Sequence, residues 1–145
     1  MTYLLDTNVI SDPLKARPNP GVTARLHRHA GEIAIPAPAW HEFFFGQVRA
    51  PRGKTLRPQA QLIFAEYVQS VVGRVPLIVY GADAATWHAK ERARLERAGR
   101  EAKTIDDLVD GMIAAIARIY DLTVVTRNVE DFRPYEGIQI ENWFS

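Results

Sequence analysis

The chain has 145 residues, 47% of them hydrophobic, and a formal net charge of +1, which suits one ordinary globular domain, residues 1–145, with a substantial core. It has no cysteine, so a disulfide framework and a thiolate zinc site are excluded. No apolar run approaches membrane-spanning length, and the opening MTYLLDTNVISDP lacks the layout of a secretory signal, so a cytoplasmic protein is expected.

Residues 3–5 form a short apolar run ending at Asp6, which reads as a buried strand followed by a polar turn. Asn19 and Pro20 read as a cap and a proline at the first helical position, opening a helix to about His29 that Gly31 stops. Residues 33–35 predict a second strand, punctuated by Pro36 and Pro38. A buried, aromatic-rich helix carrying Glu42 then spans 39–48. Residues 49–57, RAPRGKTLR, hold Arg49, Arg52, Lys54 and Arg57 with no acid and read as a basic loop. From 59 to 72, Leu62, Ile63, Tyr67, Val68 and Val71 recur near helical spacing, up to Gly73. Residues 77–80 predict a third strand. Residues 83–98 predict a surface helix capped by Asp83 and ended by Gly99. Thr104 to Asp107 match a capping box, and the helix they open carries Met112, Ile113, Ile116 and Ile119. Strands at 123–126 and 138–140 complete the chain.

Strands separated by helices predict parallel βαβ units, whose strands all end on one edge, the edge where ligands bind. The expected fold is α/β, a Rossmann-like three-layer sandwich around a central, mostly parallel sheet of four to five strands.

Asp6 stands where the first strand stops, Glu42 sits in an otherwise apolar helix, and Asp110 lies about one turn into the helix opened by Thr104. Each alone has a bland reading: Asp6 as a helix cap, Glu42 at a helix edge. Asp106 and Asp107 share a first helical turn, where the helix dipole favours acids and capping explains them, though Asp106, four residues before Asp110, is also a candidate water-mediated ligand. After the fourth strand, Thr126 and Asn128 supply a hydroxyl and an amide that can orient a carboxylate or a water, and either Glu130 or Asp131 can add an acid. Taken together, three element ends deliver acids to one edge. Two carboxylates about 5 Å apart repel by roughly 3 kcal/mol at an effective dielectric of about 20, so such a cluster needs a proton or a cation. All-oxygen donors suit Mg2+ or Mn2+ rather than zinc. His41 and Glu42 begin a His-Glu-x-x-His pattern, but Phe45 stands at the second histidine position.

With Leu5-Asp6-Thr7-Asn8, Glu42 followed by Gly46, Asp110 through Ala115, and Thr126-Arg127-Asn128 with Asp131-Phe132, nearly the whole chain resembles the PIN-domain nucleases, and among them the VapC-type toxins of bacterial toxin–antitoxin pairs. The resemblance implies a PIN-like fold, Mg2+ or Mn2+, RNA cleavage, an inhibitory antitoxin and a homodimer. By position it implies Asp6, Glu42 and Asp110 as the central acids, Asp131 as the fourth, and Thr126 and Asn128 as polar helpers. Glu130 beside Asp131 leaves the fourth acid open, and Gly111 is an unfavourable residue within a helix.

The expected chemistry is metal-assisted, in-line cleavage of RNA. Arg49, Arg52, Lys54 and Arg57, with Arg25, Arg28, Lys90, Arg92, Arg94 and Arg97, are candidates to hold its backbone without reading bases. Rival readings are a housekeeping or structure-specific nuclease with the same site, a magnesium-dependent phosphoaspartate protein, and a metal-free binding domain. The phosphoaspartate pattern calls for an Asp where Asn8 stands, or a lysine after a late strand. A binding domain would use Trp40, Phe43, Phe44, Phe45 and Trp87, most of which are expected in the core.

Overall fold

In the computed structural model, which describes residues 1–49 and 58–145, five strands form one sheet in the order β3-β2-β1-β4-β5, with every neighbouring pair parallel. The strands are β1 (Tyr3–Leu5), β2 (Ile33–Pro36), β3 (Leu77–Ile78), β4 (Thr123–Val125) and β5 (Ile140–Glu141). Among the described residues the helices are α1 (Thr7–Ser11), α2 (Pro20–Arg28), α3 (Ala37–Val48), α4 (Pro58–Val71), α5 (Ala82–Arg97), α6 (Ile105–Tyr120) and α7 (Val129–Phe132), with a 3-10 turn at Asp12–Leu14. The expected basic residues Arg52, Lys54 and Arg57 lie outside the described residues.

Central position makes β1 apolar: Leu4 and Leu5 are buried with Ala34, Ile35, Val124 and Val125 of the flanking strands, as expected where helices cover a parallel sheet. From β1 the chain steps outward through β2 and β3, then returns past β1 to build β4 and β5 on the other side. The direction of winding therefore reverses between β1 and β4, and a crevice opens beyond their C-terminal ends. Asp6 and Thr126 are the first residues after those two strands.

Helix α6 is the element best specified by its own sequence. The Thr104 hydroxyl accepts from Asp107 N at 3.1 Å and the Asp107 carboxylate accepts from Thr104 N at 3.2 Å, closing the expected capping box. That start fixes the phase of the helix, burying Ile113 to Ala117 and setting Asp110 near the sheet edge. Gly111 sits in regular helix, where α5 packs against α6.

Several expectations are corrected. Asp83 does not cap α5; Gly81 occupies the cap position and Asp83 lies in the first turn. Strand β3 stops at Ile78 rather than residue 80, because its partner β2 ends at Pro36, opposite Ile78. Strand β5 runs over Ile140–Glu141 rather than 138–140. Of the aromatic run, Phe43 is buried, but Phe44 and Phe45 are 37% and 49% exposed, because the one buried face of α3 holds only every third or fourth residue. No described helix is long and apolar enough to cross a membrane.

Candidate active site

Asp6 is held from three sides. It caps α1, its Oδ1 accepting from Thr7 N at 2.8 Å, so the capping reading is correct, and the same carboxylate also lines the crevice. Its Oδ2 accepts from the Thr126 hydroxyl at 2.8 Å and from Asn8 Nδ2 at 3.3 Å. Burial pushes the Asp6 carboxyl up, while Thr126, Thr7 and Asn8 favour its ionised form and Asp131 opposes it.

Thr126 is fully buried, so it stands behind Asp6 rather than facing the cavity. Its oxygen also accepts from Asn128 N at 2.9 Å. Asn8 closes the loop between the two strand ends: its Nδ2 lies 3.4 Å from Thr126 Oγ1 and its Oδ1 accepts from Arg127 N at 3.2 Å. Sequence reasoning gave Asn8 no role in the site. Its amide two residues beyond a strand-terminal Asp was the available signal.

The crevice is a cavity of about 320 Å³ lined by Asp6, Glu42, Asp106, Asp110 and Asp131, with Asn8 and Asn128 among its polar walls. Thus α3 delivers Glu42, α6 delivers Asp106 and Asp110, and α7 delivers Asp131. Asp106 joins the wall one helical turn before Asp110, whereas Asp107 is occupied in the capping box. Glu130 instead points to Arg133, its ion-pair partner, and lines a neighbouring cavity. Asp131 is therefore the acid that faces Asp6 and Asp110.

Burial, then the charges of Asp6, Asp131, Asp106 and Asp107, push Asp110 up to about 8. At neutral pH this residue keeps a proton unless a cation replaces it. Among the described residues, no three Asp, Glu or His side chains are already gathered at metal-ligand spacing. The donor set nonetheless fits a hard divalent cation: all oxygen, strongly mutually repelling, and open to solvent.

Of the expected backbone-binding cations, Arg25 and Arg94 are otherwise engaged. Arg25 donates to Trp143 O at 2.8 Å. Arg94 grips Glu91 through Nε and Nη2 at 2.7 and 2.8 Å and also donates to Pro134 O. Arg49 is exposed and sits over the Phe45 ring, 5.4 Å from its centroid.

The family model of the PIN domain matches residues 3–135. The chain is 29% identical over 143 residues to the "tRNA(fMet)-specific endonuclease VapC" of Shigella flexneri, covering 99% of this chain and 98% of that protein. It is 31% identical over 130 residues to "Toxin FitB" of Neisseria gonorrhoeae, covering 89% of each. Among solved structures, DNA-bound VapBC from Salmonella typhimurium superposes with a TM-score of 0.79 at 27% identity, covering 99% of this chain and 98% of that one.

Proposed function

The chain belongs to the PIN-domain family, in its VapC-type branch, and from that premise we propose that it is a metal-dependent endoribonuclease acting as the toxin of a toxin–antitoxin pair. The observation that carries the reading is the convergence of Asp6, Glu42, Asp110 and Asp131 on one cavity at the switch point of the sheet, with Asp110 driven up to about 8 by burial and its acidic neighbours.

Asp6, Glu42, Asp110 and Asp131 are the proposed holders of Mg2+ or Mn2+, which supplies Lewis-acid polarisation of the scissile phosphate and a more acidic water. The remaining roles belong to the chain. Thr126, Thr7 N and Asn8 fix both oxygens of Asp6, so this carboxylate is oriented before anything binds. Asn128, on the cavity wall, is the proposed group to orient a phosphate oxygen or the attacking water. Exposed Arg49, and the neighbouring Arg52, Lys54 and Arg57, are proposed contacts to the RNA backbone, acting by charge rather than by base identity.

A cognate antitoxin belongs to the same proposal. Phe44, Phe45 and Val48 on α3 and Leu62 and Ile63 on α4 expose apolar surface of the kind that an amphipathic helix or extended tail covers. A homodimer and action on cytoplasmic RNA are further parts of the proposal. Light scattering of the purified protein reads the dimer directly.

The test is incubation of antitoxin-free protein with a structured and a single-stranded RNA in Mg2+, Mn2+ or EDTA, beside the Asp6→Asn, Asp110→Asn double variant. Cleavage that requires the metal and is lost in the variant is expected. Cleavage that persists in EDTA, or a protein that neither binds metal nor cuts either RNA, overturns the reading.

A further inference from the structure

A second cavity, of about 250 Å³, adjoins the acidic one, and Asp110 and Asp131 line both. Its wall also carries the guanidinium groups of Arg92 and Arg100, the apolar surfaces of Leu95 and Pro134, and the Tyr135 ring. Three further acids share it, Glu101, Asp107 and Glu130, of which Asp107 accepts from the backbone of Lys103 and Thr104 and Glu130 pairs with Arg133. We propose that this cavity is a nucleotide subsite, in which Arg92 and Arg100 hold an RNA phosphate flanking the scissile one and Tyr135 carries the adjoining base. The subsite rests on the ribonuclease reading above.

Three features of the chain build it. Helix α5 ends in a left-handed turn at Gly99, φ +81°, with Arg100 N donating to Leu95 O at 2.7 Å and Gly99 N to Glu96 O at 3.0 Å. This is the Schellman pattern, which folds the chain back along the helix it has just left. Arg100 is thereby returned beside Leu95, on the cavity wall, instead of continuing away from it. Among the described residues Arg100 has no carboxylate partner, and Arg92 has only a long contact to Glu96, 3.8 Å between two half-exposed side chains. Two exposed cations with weak or no partners are available to an anion.

The third feature is the clamp under Tyr135. Glu91, buried, accepts from Arg94 and from Glu136 N at 2.9 Å, while Arg94 donates to Pro134 O at 2.8 Å. Residues 134 and 136 are therefore both tied to α5, and the ring between them is held against Trp87, with centroids 6.3 Å apart. A fixed aromatic face suits base stacking, which tolerates any base. The division of labour along α5 follows: Arg94 is structural, whereas Arg92 and Arg100 are free to bind.

Phosphates and carboxylates repel, and of the three further acids that share this wall with Arg92 and Arg100, Asp107 is taken up by its capping box and Glu130 by Arg133, so Glu101 is the one that opposes a phosphate there. Asp110 and Asp131, shared with the first cavity, mark where metal is proposed to bind, whereas Arg92 and Arg100 line the second cavity and not the first. An RNA strand crossing both cavities would meet the proposed metal-holding acids in one and the two guanidinium groups in the other.

The experiment measures binding of a fluorescein-labelled single-stranded RNA decamer by anisotropy, in Ca2+ and again in EDTA, across a range of salt. The proteins are the intact chain, Arg92→Ala with Arg100→Ala, Tyr135→Leu, Tyr135→Phe, and Arg74→Ala, an exposed arginine just before β3, at the opposite end of the sheet. Melting temperatures check that each variant folds. The double arginine variant is expected to flatten the log-affinity against log-salt slope by about 1.4, or about 0.7 for each lost phosphate contact. Tyr135→Leu should weaken binding roughly tenfold, and Tyr135→Phe should not. In RNA cleavage, the arginine variant should raise KM with kcat little changed.

Salt slopes unchanged in the double arginine variant, or changed equally in Arg74→Ala, overturn the subsite, as does an intact protein that binds no RNA; a peptide partner would then be the better reading of the cavity. Whether the intact protein cuts RNA in Mg2+ or Mn2+ is read separately, so loss of the nuclease reading is distinguishable from loss of the subsite.

Discussion

The His88 imidazole occupies the space in which a side chain at residue 111 would begin. A Cβ built on Gly111 falls against the His88 ring, closest to Nε2 and 2.8 Å from both Cδ2 and Cε1. His88 is itself buried, with Nδ1 2.8 Å from the Tyr80 hydroxyl, so the ring has little room to retreat. The glycine next to Asp110 is thus what lets α5 close on α6 at this point.

Gly111→Ala should therefore destabilise the protein, although alanine favours helix over glycine by about 1 kcal/mol. Overpacking against a ring fixed on its other side typically costs about 1–3 kcal/mol, which outweighs the propensity gain. Urea denaturation reads the loss. Adding His88→Ala should recover much of it, a coupling that a double-mutant cycle detects. A Gly111→Ala protein as stable as the parent would sink the account.

Thr126 acts on Asp6 rather than on substrate. Thr126→Val keeps the shape but removes the donor to Asp6 Oδ2 and the acceptor of Asn128 N. Leaving buried polar groups unpaired should cost about 1–3 kcal/mol, and metal affinity or activity should fall roughly 10- to 100-fold. Thr126→Ser retains the hydroxyl and should stay near the parent in metal titrations. Equal losses in Val and Ser would show that the methyl, not the hydroxyl, matters.

How far the site was legible depended on how locally each residue is specified. Asp6 and Asp110 were legible because the apolar run before Asp6 and the capping box before Asp110 fix where those residues fall. Glu42 was marked by its apolar surroundings. The choice of Asp131 over Glu130 needed the resemblance, because it depends on how the four-residue α7 is oriented. Helices of that length, α1 included, carry no periodicity to read. Contacts between distant segments were hidden altogether: Gly111 looked merely unfavourable until His88 was seen beside it. Arg25 and Arg94 looked like free cations until Trp143 O and Glu91 were found on them. Gly99 was readable as a stop, but the return of Arg100 onto Leu95 follows only from its positive φ.

The Glu91–Arg94 clamp gives a stability prediction of its own. Arg94 holds the Glu91 carboxyl below its ordinary range, chiefly by hydrogen bonding. A depressed carboxyl contributes stability that is present above its unfolded pKa and lost as pH falls through the folded one. Arg94→Met should lower stability by roughly 1–3 kcal/mol at pH 7 and remove part of the acid sensitivity of the parent. Denaturation at pH 7 and below pH 4 compares the two. A deficit that is the same at both pH values would mean that the ion pair is not its source.

Asp110 makes the opposite prediction. Its folded pKa is raised from 3.8 to about 8 by burial and then by Asp6, Asp131, Asp106 and Asp107. Between those values the folded chain keeps a proton that the unfolded chain has released, so this residue's contribution to stability is complete below the unfolded pKa and is lost as pH rises toward 8. The metal-free protein should therefore lose melting temperature as pH rises from about 5.5 to 8.5. Asp110→Asn, which cannot ionise, should flatten that decline. A divalent cation stabilises the ionised carboxylate, so Mn2+ should oppose the decline and bind more tightly at higher pH, releasing protons as it does. Scanning calorimetry over pH, with and without Mn2+, measures all three effects. A metal-free melting temperature with the same pH dependence in Asp110→Asn as in the parent would remove Asp110 as the buried proton holder at the centre of the acidic cavity.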